Sequence, residues 1–293
     1  MRMLMTACLA LGFCGATAFG DEELLKPVNM PFNTSGDDTE PFAVTYSPTS
    51  GRIYFLHDRQ LHYSAKGGEG WLPGKAFDEI QERGEIGGLF VALPKTGQFP
   101  QQLIYSIKHE KEGPSGPEEN FDLYIRTRQG GKGADMNVPI PLHRVDTEDD
   151  EMHPWLTADG RLFFSRKTKD GWRLFVAKRI KDNIQFDKPV QVNLPAGFHH
   201  ATLSPSGVTM YLQGPLENNR WGIFRSVYEN GKWSEPEEMK NLNHPGGKKG
   251  DLAPSLSHDG SMLYFASDRP GGKGKLDIWM VGTAQLTKKK EEK

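Results

Sequence analysis

Four short segments carry an acidic residue three positions before a proline or its equivalent. They are Asp38 in GDDTEP (36–41), Glu85 in GEIGG (84–88), Glu151 in DDEMHP (149–154) and Asp251 in GDLAP (250–254). A fifth segment, GFHHA (197–201), has Phe198 at the acid's place with His199 and His200 behind it, and His153 stands two residues after Glu151. If these segments meet in space, convergent carboxylates in a concave site focus negative potential and capture a cation or the basic group of a ligand. Crowding that raised the pKa of one carboxylate would also provide a general acid and base, the pair that glycoside hydrolysis requires. A plainer role competes with both: an acid that recurs with a repeat accepts hydrogen bonds from its neighbours and pins the repeated scaffold. The Phe198-His199-His200 segment breaks the pattern, and departures of that kind are where function is added.

Other chemistries fail on spacing. The run RPGGKGKLD (269–277) has the glycines and lysines of a phosphate-cradling loop, but Leu276 occupies the place of the required hydroxyl. A strand, not a helix, follows it, so it reads as a hairpin loop. There is no G-x-S-x-G elbow, HEKEG (109–113) lacks the second histidine of H-E-x-x-H, and the nine histidines form no zinc-type local cluster. No catalytic residue, metal centre or cofactor is expected on these spacings. A metal-stabilised fold remains a third reading, testable by melting in chelator.

The elements that must position these residues are short strands. Segments 41–66, 101–128, 154–179, 201–227 and 254–281 share one plan: an apolar strand, a tight turn, an aromatic-rich strand, a variable loop and an alternating strand. Asp159-Gly160, Asp259-Gly260, Ser206-Gly207 and Ser50-Gly51 supply turn chemistry, and RIYFL, LIYSI, RLFFS and MLYFAS supply β propensity. Aligning Phe55, Tyr105, Phe164, Leu212 and Phe265 gives spacings of 50, 59, 48 and 53. These approach the ~40–50 residues of a four-stranded propeller blade. The predicted fold class is all-β, a propeller of five four-stranded blades with six as the alternative.

Outer strands are legible in 70–77, 183–194 and 231–242, each with a proline that an edge tolerates. No such strand follows the last repeat. ELLKPVNM (23–30) has the same Pro-Val-Asn pattern as KPVQVNL (188–194), so the N-terminal strand is expected to join the last blade and close the ring. In such blades the starts of the innermost strands rim one mouth of the central channel. Residues 108–121, charged and proline-rich, read as a mobile loop on that same face.

The segment 243–281, with Asp251 to Pro254, Asp259-Gly260, LYFASDRPGG and Asp277-Ile278-Trp279, resembles the PD40 (WD40-like, TolB-like) repeat. NTSGDDTEPF (33–42) echoes its opening. The resemblance spans the chain from about residue 21 and is weakest in the second repeat. It implies a propeller engaged in envelope or protein–protein interaction, although TolB-like propellers have six blades.

Residues 1–20 have Arg2, an apolar run from Met3 to Cys14 and small residues, the pattern of a secretory signal peptide. The apolar run is shorter than a membrane span. Residues 21–282 are then one propeller domain, and 283–293 a disordered charged tail. Cys8 and Cys14 are the only cysteines, so a chain cut after the leader has no disulfide or catalytic thiol. A lipobox reading of LGFC (11–14), with a lipid on Cys14, is the alternative. A net charge of -2 argues against nucleic acid. The expected protein is a periplasmic or secreted monomer without a transmembrane segment, a non-catalytic scaffold for an envelope protein or a small ligand such as a saccharide. The rival is a glycoside hydrolase or lyase acting through the channel carboxylates.

Overall fold

Three inner strands end in turns that only a glycine closes without strain. Gly160, Gly207 and Gly260 have φ of 83°, 69° and 72°, and their N–H groups donate to the carbonyls of Thr157, Ser204 and Ser257. Ser50 and Gly51, expected at the equivalent turn, instead begin the second strand of their blade and pair with Ser47 and Thr45. The computed structural model describes residues 25–47, 50–77, 80, 84–92, 101–113, 116–128, 138–180 and 184–286. The segment read as a leader and both cysteines lie outside the described residues.

The strands form five antiparallel sheets arranged as a five-bladed β-propeller. Blade 1 runs outward through Asp38–Ser47, Ser50–His57 and Gln60–Gly67, with Gly70–Trp71 and Lys75–Ala76 at its edge. Blade 2 comprises Ile86–Ala92, Gln101–Gly113, Gly116–Arg128 and Ile140–Pro141. Blade 3 comprises Asp150–Leu156, Arg161–Thr168, Gly171–Lys178 and Val190–Gln191. Blade 4 comprises His199–Leu203, Thr209–Leu216 and Arg220–Glu229, with Lys232–Trp233 and Glu237–Glu238 outside. Blade 5 comprises Asp251–Leu256, Met262–Ser267 and Asp277–Gly282, and its outer strand is the N-terminal Val28–Asn29, paired with Met280 and Trp279. The ring therefore closes between chain ends.

The five residues aligned by sequence occupy the second strands and are 0–1% exposed. Full burial of side chains of this size contributes about 1.5–3 kcal/mol each. Between blades a recurring latch ties three of the connections to the blade before them. Asn33 bonds both backbone groups of Ile278 at 2.8 and 2.9 Å, Asn243 does the same to Ile223 at 3.1 and 2.8 Å, and Asp146 accepts from Leu123 N–H at 3.0 Å.

The segment 108–121 is not a loose loop. It continues the second and third strands of blade 2, with Lys108 opposite Phe121 and Gly113 opposite Gly116. Of the residues read as a tail, Thr283–Leu286 form one helical turn with Leu286 buried. No helix among the described residues is long and apolar enough to cross a membrane.

Candidate functional site

Every inner strand slips its register near its start: between Thr39 and Phe42, Ile86 and Leu89, Met152 and Trp155, His199 and Ala201, and Leu252 and Ser255; blade 1 slips again between Thr45 and Ser47. The residue at the slip has positive φ in all five blades: Glu40 (52°), Gly88 (124°), His153 (53°), His200 (50°) and Ala253 (52°). Non-glycine residues rarely adopt this conformation, which costs of order 1–3 kcal/mol. Three of the five immediately precede a proline. A bulge re-aims its side chain, and residues from these positions in blades 1–4 border one narrow hollow on the axis, joined from blade 5 by Pro254 and Ser255.

The recurrent acids stand two residues earlier and face elsewhere. Asp38 is fully buried and accepts from Thr34 N–H at 2.6 Å and Thr34 Oγ1 at 3.0 Å, with His57 Nδ1 at 3.0 Å. Glu151, also fully buried, accepts from Thr147 N–H at 3.0 Å, Thr147 Oγ1 at 2.6 Å and Arg166 Nε at 2.6 Å. Burial pushes the Glu151 pKa up, against the lowering effect of Thr147 and Arg166. Asp251 accepts from His244 N–H at 2.7 Å and from buried Arg269 at 2.6 Å. Glu85 does not occupy the equivalent place. Ile86, opposite Ile107, corresponds to Glu151 opposite Arg166, and Glu85 pairs with the exposed Arg59 at 3.3 Å. In this arrangement the acids join connections to blades. A second acidic grouping, Asp122, Asp146 and Glu151, is likewise engaged, by the Asn120 side-chain amide, the Leu123 N–H, and the Thr147 N–H with Arg166 respectively.

The three histidines divide. His199 is buried, with Nδ1 at 2.8 Å from the Gly197 carbonyl and Nε2 at 3.3 Å from Gln213. Its ring stacks on Trp172 with centroids 4.8 Å apart and meets Trp221 edge-on at 5.1 Å. Burial pushes its pKa down to about 4. His153 and His200 instead stack on each other across blades 3 and 4, with centroids 3.9 Å apart and planes 14° from parallel. Facing them from blade 1 is Glu40, its carboxylate oxygens 3.7 Å from His153 Nε2 and 3.3 Å from His200 Nε2. Gly88 permits this packing, because a Cβ there would stand 3.0 Å from His153 Cα.

Glu40 is absent from the sequence-based candidates, which counted three residues back from the proline, whereas the residue directly before it faces the channel. The signal that finds it is the shared pre-proline position of Glu40 and His153. Burial pushes the Glu40 pKa up to about 8. Burial, then the neighbouring imidazoles, hold His153 and His200 well below the usual histidine range. Each of these shifts disfavours the charged form of its group.

Above the triad opens a cavity of about 390 Å³, lined by Glu40, His153, His200, Gln213, Asn219 and Trp221. Lys248 and Lys249 stand at its rim. Below the triad lies the hollow of about 20 Å³, also bordered by Trp155 and Ser255. Trp155 packs on Phe42 and Phe90 with centroids 5.7 and 5.2 Å away. The lining of the cavity and the hollow holds a single carboxylate among the described residues.

No family model matches this chain, and no curated protein sequence matches it. Among solved structures it is similar to a GH62 hydrolase in complex with xylotriose, at 10% identity and a TM-score of 0.61 over 87% of this chain and 95% of that one. An endo-arabinase from Bacteroides thetaiotaomicron matches at 11% identity and a TM-score of 0.58, over 90% and 99% of the two chains. TolB from Acinetobacter baumannii matches at 14% identity and a TM-score of 0.44, over 84% and 55%. At these identities the shared property is the fold, and the TolB superposition is too loose to carry an argument. The PD40 resemblance rests on the sequence of 243–281.

Proposed function

We propose that this chain is an exported, non-catalytic binding propeller that takes a small polar ligand into the cavity above Glu40, His153 and His200. One observation carries this reading: Glu40 is the single carboxylate lining that cavity among the described residues. Acid–base hydrolysis of a glycosidic bond uses two carboxyl groups about 5–9.5 Å apart, whereas Asp38, Glu151 and Asp251 are buried in hydrogen bonds at the blade connections and Glu85 pairs with Arg59 outside the cavity lining. A volume of about 390 Å³, with an aromatic wall at Trp221 and amides at Gln213 and Asn219, suits a ligand of roughly monosaccharide size. Lys248 at the rim, beside Lys249 paired with Asp37 at 3.5 Å, favours a carboxylate or phosphate on that ligand.

The test is a thermal-shift and calorimetric screen against neutral sugars, sugar acids, small carboxylates and phosphates, with product analysis on xylo- and arabino-oligosaccharides. The expected result is a ligand that raises Tm, remains chemically unchanged and binds at least tenfold more weakly to Trp221→Ala. Oligosaccharide turnover that disappears in Glu40→Gln would replace this reading with the hydrolase.

A further inference from the structure

We propose that Glu40, His153 and His200 hold one divalent transition-metal ion of the zinc class at the floor of the cavity, with its remaining coordination position open to the ligand. The inference deepens the binding reading above and rests on it for the role of the open position. The ion site itself stands on the residues alone.

One ligand atom from each residue lies within 4.8 Å of the others. The two measured separations, 3.3 Å from Glu40 Oε2 to His200 Nε2 and 3.7 Å from Glu40 Oε1 to His153 Nε2, run to different oxygens of the one carboxylate, so each imidazole edge faces an oxygen across a gap comparable to the roughly 3.3–3.4 Å between donors around a tetrahedral ion at about 2.0–2.1 Å. The donors are not consumed by bonding to one another, and no hydrogen bond from any described residue reaches the Glu40 carboxylate. His153 has the support a ligating histidine needs: its Nδ1 lies 3.2 Å from Ser165 Oγ, which also accepts the His200 N–H at 2.8 Å. Donation from Nδ1 to that oxygen leaves the Nε2 lone pair facing Glu40.

An independent observation points to an occupant. Ser255 is 3% exposed, borders the 20 Å³ hollow with the triad, and its Oγ has no protein partner. That volume accommodates about one water-sized or ion-sized species. The two remaining bulge positions are Gly88 and Ala253, which put no long side chain into the space. Because the imidazole planes are only 14° from parallel, an ion held by both rings turns at least one of them, and the hollow provides the room. Two imidazole nitrogens and one carboxylate select zinc, cobalt, nickel or copper over calcium and magnesium, which take oxygen ligands.

The experiment uses the full chain made without a histidine tag, stripped with EDTA and titrated with Zn²⁺ by calorimetry and with Co²⁺ by absorption spectroscopy. One equivalent of each is expected, with visible Co²⁺ bands of a four-coordinate site. Glu40→Gln and His200→Ala are expected to lose that equivalent with unchanged circular dichroism. Ser165→Ala is expected to weaken binding about 10–100-fold, and the exposed His143→Ala to leave it unaltered. Zn²⁺ absorption-edge spectroscopy of the wild type decides without any variant: two imidazoles in the shell support the site, and none overturns it. Binding that survives in folded Glu40→Gln and His200→Ala also overturns it. A small ligand that binds the stripped chain as tightly as the Zn²⁺-loaded chain overturns the anchoring role while preserving the binding reading. Stoichiometric Zn²⁺ with no ligand from the screen upholds the ion site and removes the binding reading.

Discussion

At the scale of single residues, the two kinds of acid near the starts of the inner strands have opposite environments. Asp251 is satisfied by Arg269 and a backbone amide, whereas Glu40 faces two imidazoles with no hydrogen bond. Arg269→Ala leaves Asp251, 1% exposed, without its cation. Breaking a buried pair in this way costs about 3–5 kcal/mol, and urea unfolding at neutral pH measures it. Loss of less than about 1 kcal/mol would mean that the pair does not hold the blade 4–5 connection. Zn²⁺ titration of the same variant is expected to match wild type, because Asp251 does not face the channel. The recurrence of the acid was visible in the sequence, but its direction was not. A one-residue slip redirects every following side chain, and the slip sits between the acid and the proline.

At the scale of elements, the connections do more than join strands. Asn33, Asn243 and Asp146 each bond the third strand of the preceding blade, and Thr34, Thr147 and His244, next in sequence, donate their N–H to the acid. The Asn33 latch, with the Val28–Asn29 strand, holds the closing blade. Asn33→Ala leaves the Ile278 N–H without its buried acceptor, while the Ile278 carbonyl keeps the Met30 N–H at 3.0 Å, a cost of about 1–3 kcal/mol. Hydrogen-exchange mass spectrometry is expected to show faster exchange confined to 277–282. Uniform acceleration over the ring would instead point to global destabilisation. The sequence carries a signal for these latches that its reading did not use, an Asn or Asp a few residues before three of the acids. The outer strand Ile140–Pro141 of blade 2 escaped the sequence reading because two residues flanked by glycine-rich chain carry no periodicity.

At the scale of the whole molecule, the triad joins blades 1, 3 and 4 across the axis, so an ion there ties the ring together from within. An ion that binds only the folded state stabilises it by about 2.7 kcal/mol at a hundredfold excess over Kd. Calorimetric melting is therefore expected to shift upward with Zn²⁺ and back with EDTA; coincident curves would show that the folded ring does not take up the ion. By itself the sequence determined the five-fold repetition, three of the four expected hairpin turns and the second strands, because each depends on turn chemistry and alternation within about thirty residues. It determined closure by the N-terminal strand because the outer-strand pattern missing after the last repeat stands at residues 23–30. Only the tertiary structure decided which side chains share the channel. Glu40, His153 and His200 belong to three different blades, their local spacing obeys no metal or catalytic motif, and a bulge in each inner strand, not the repeat signature, turns them to the axis.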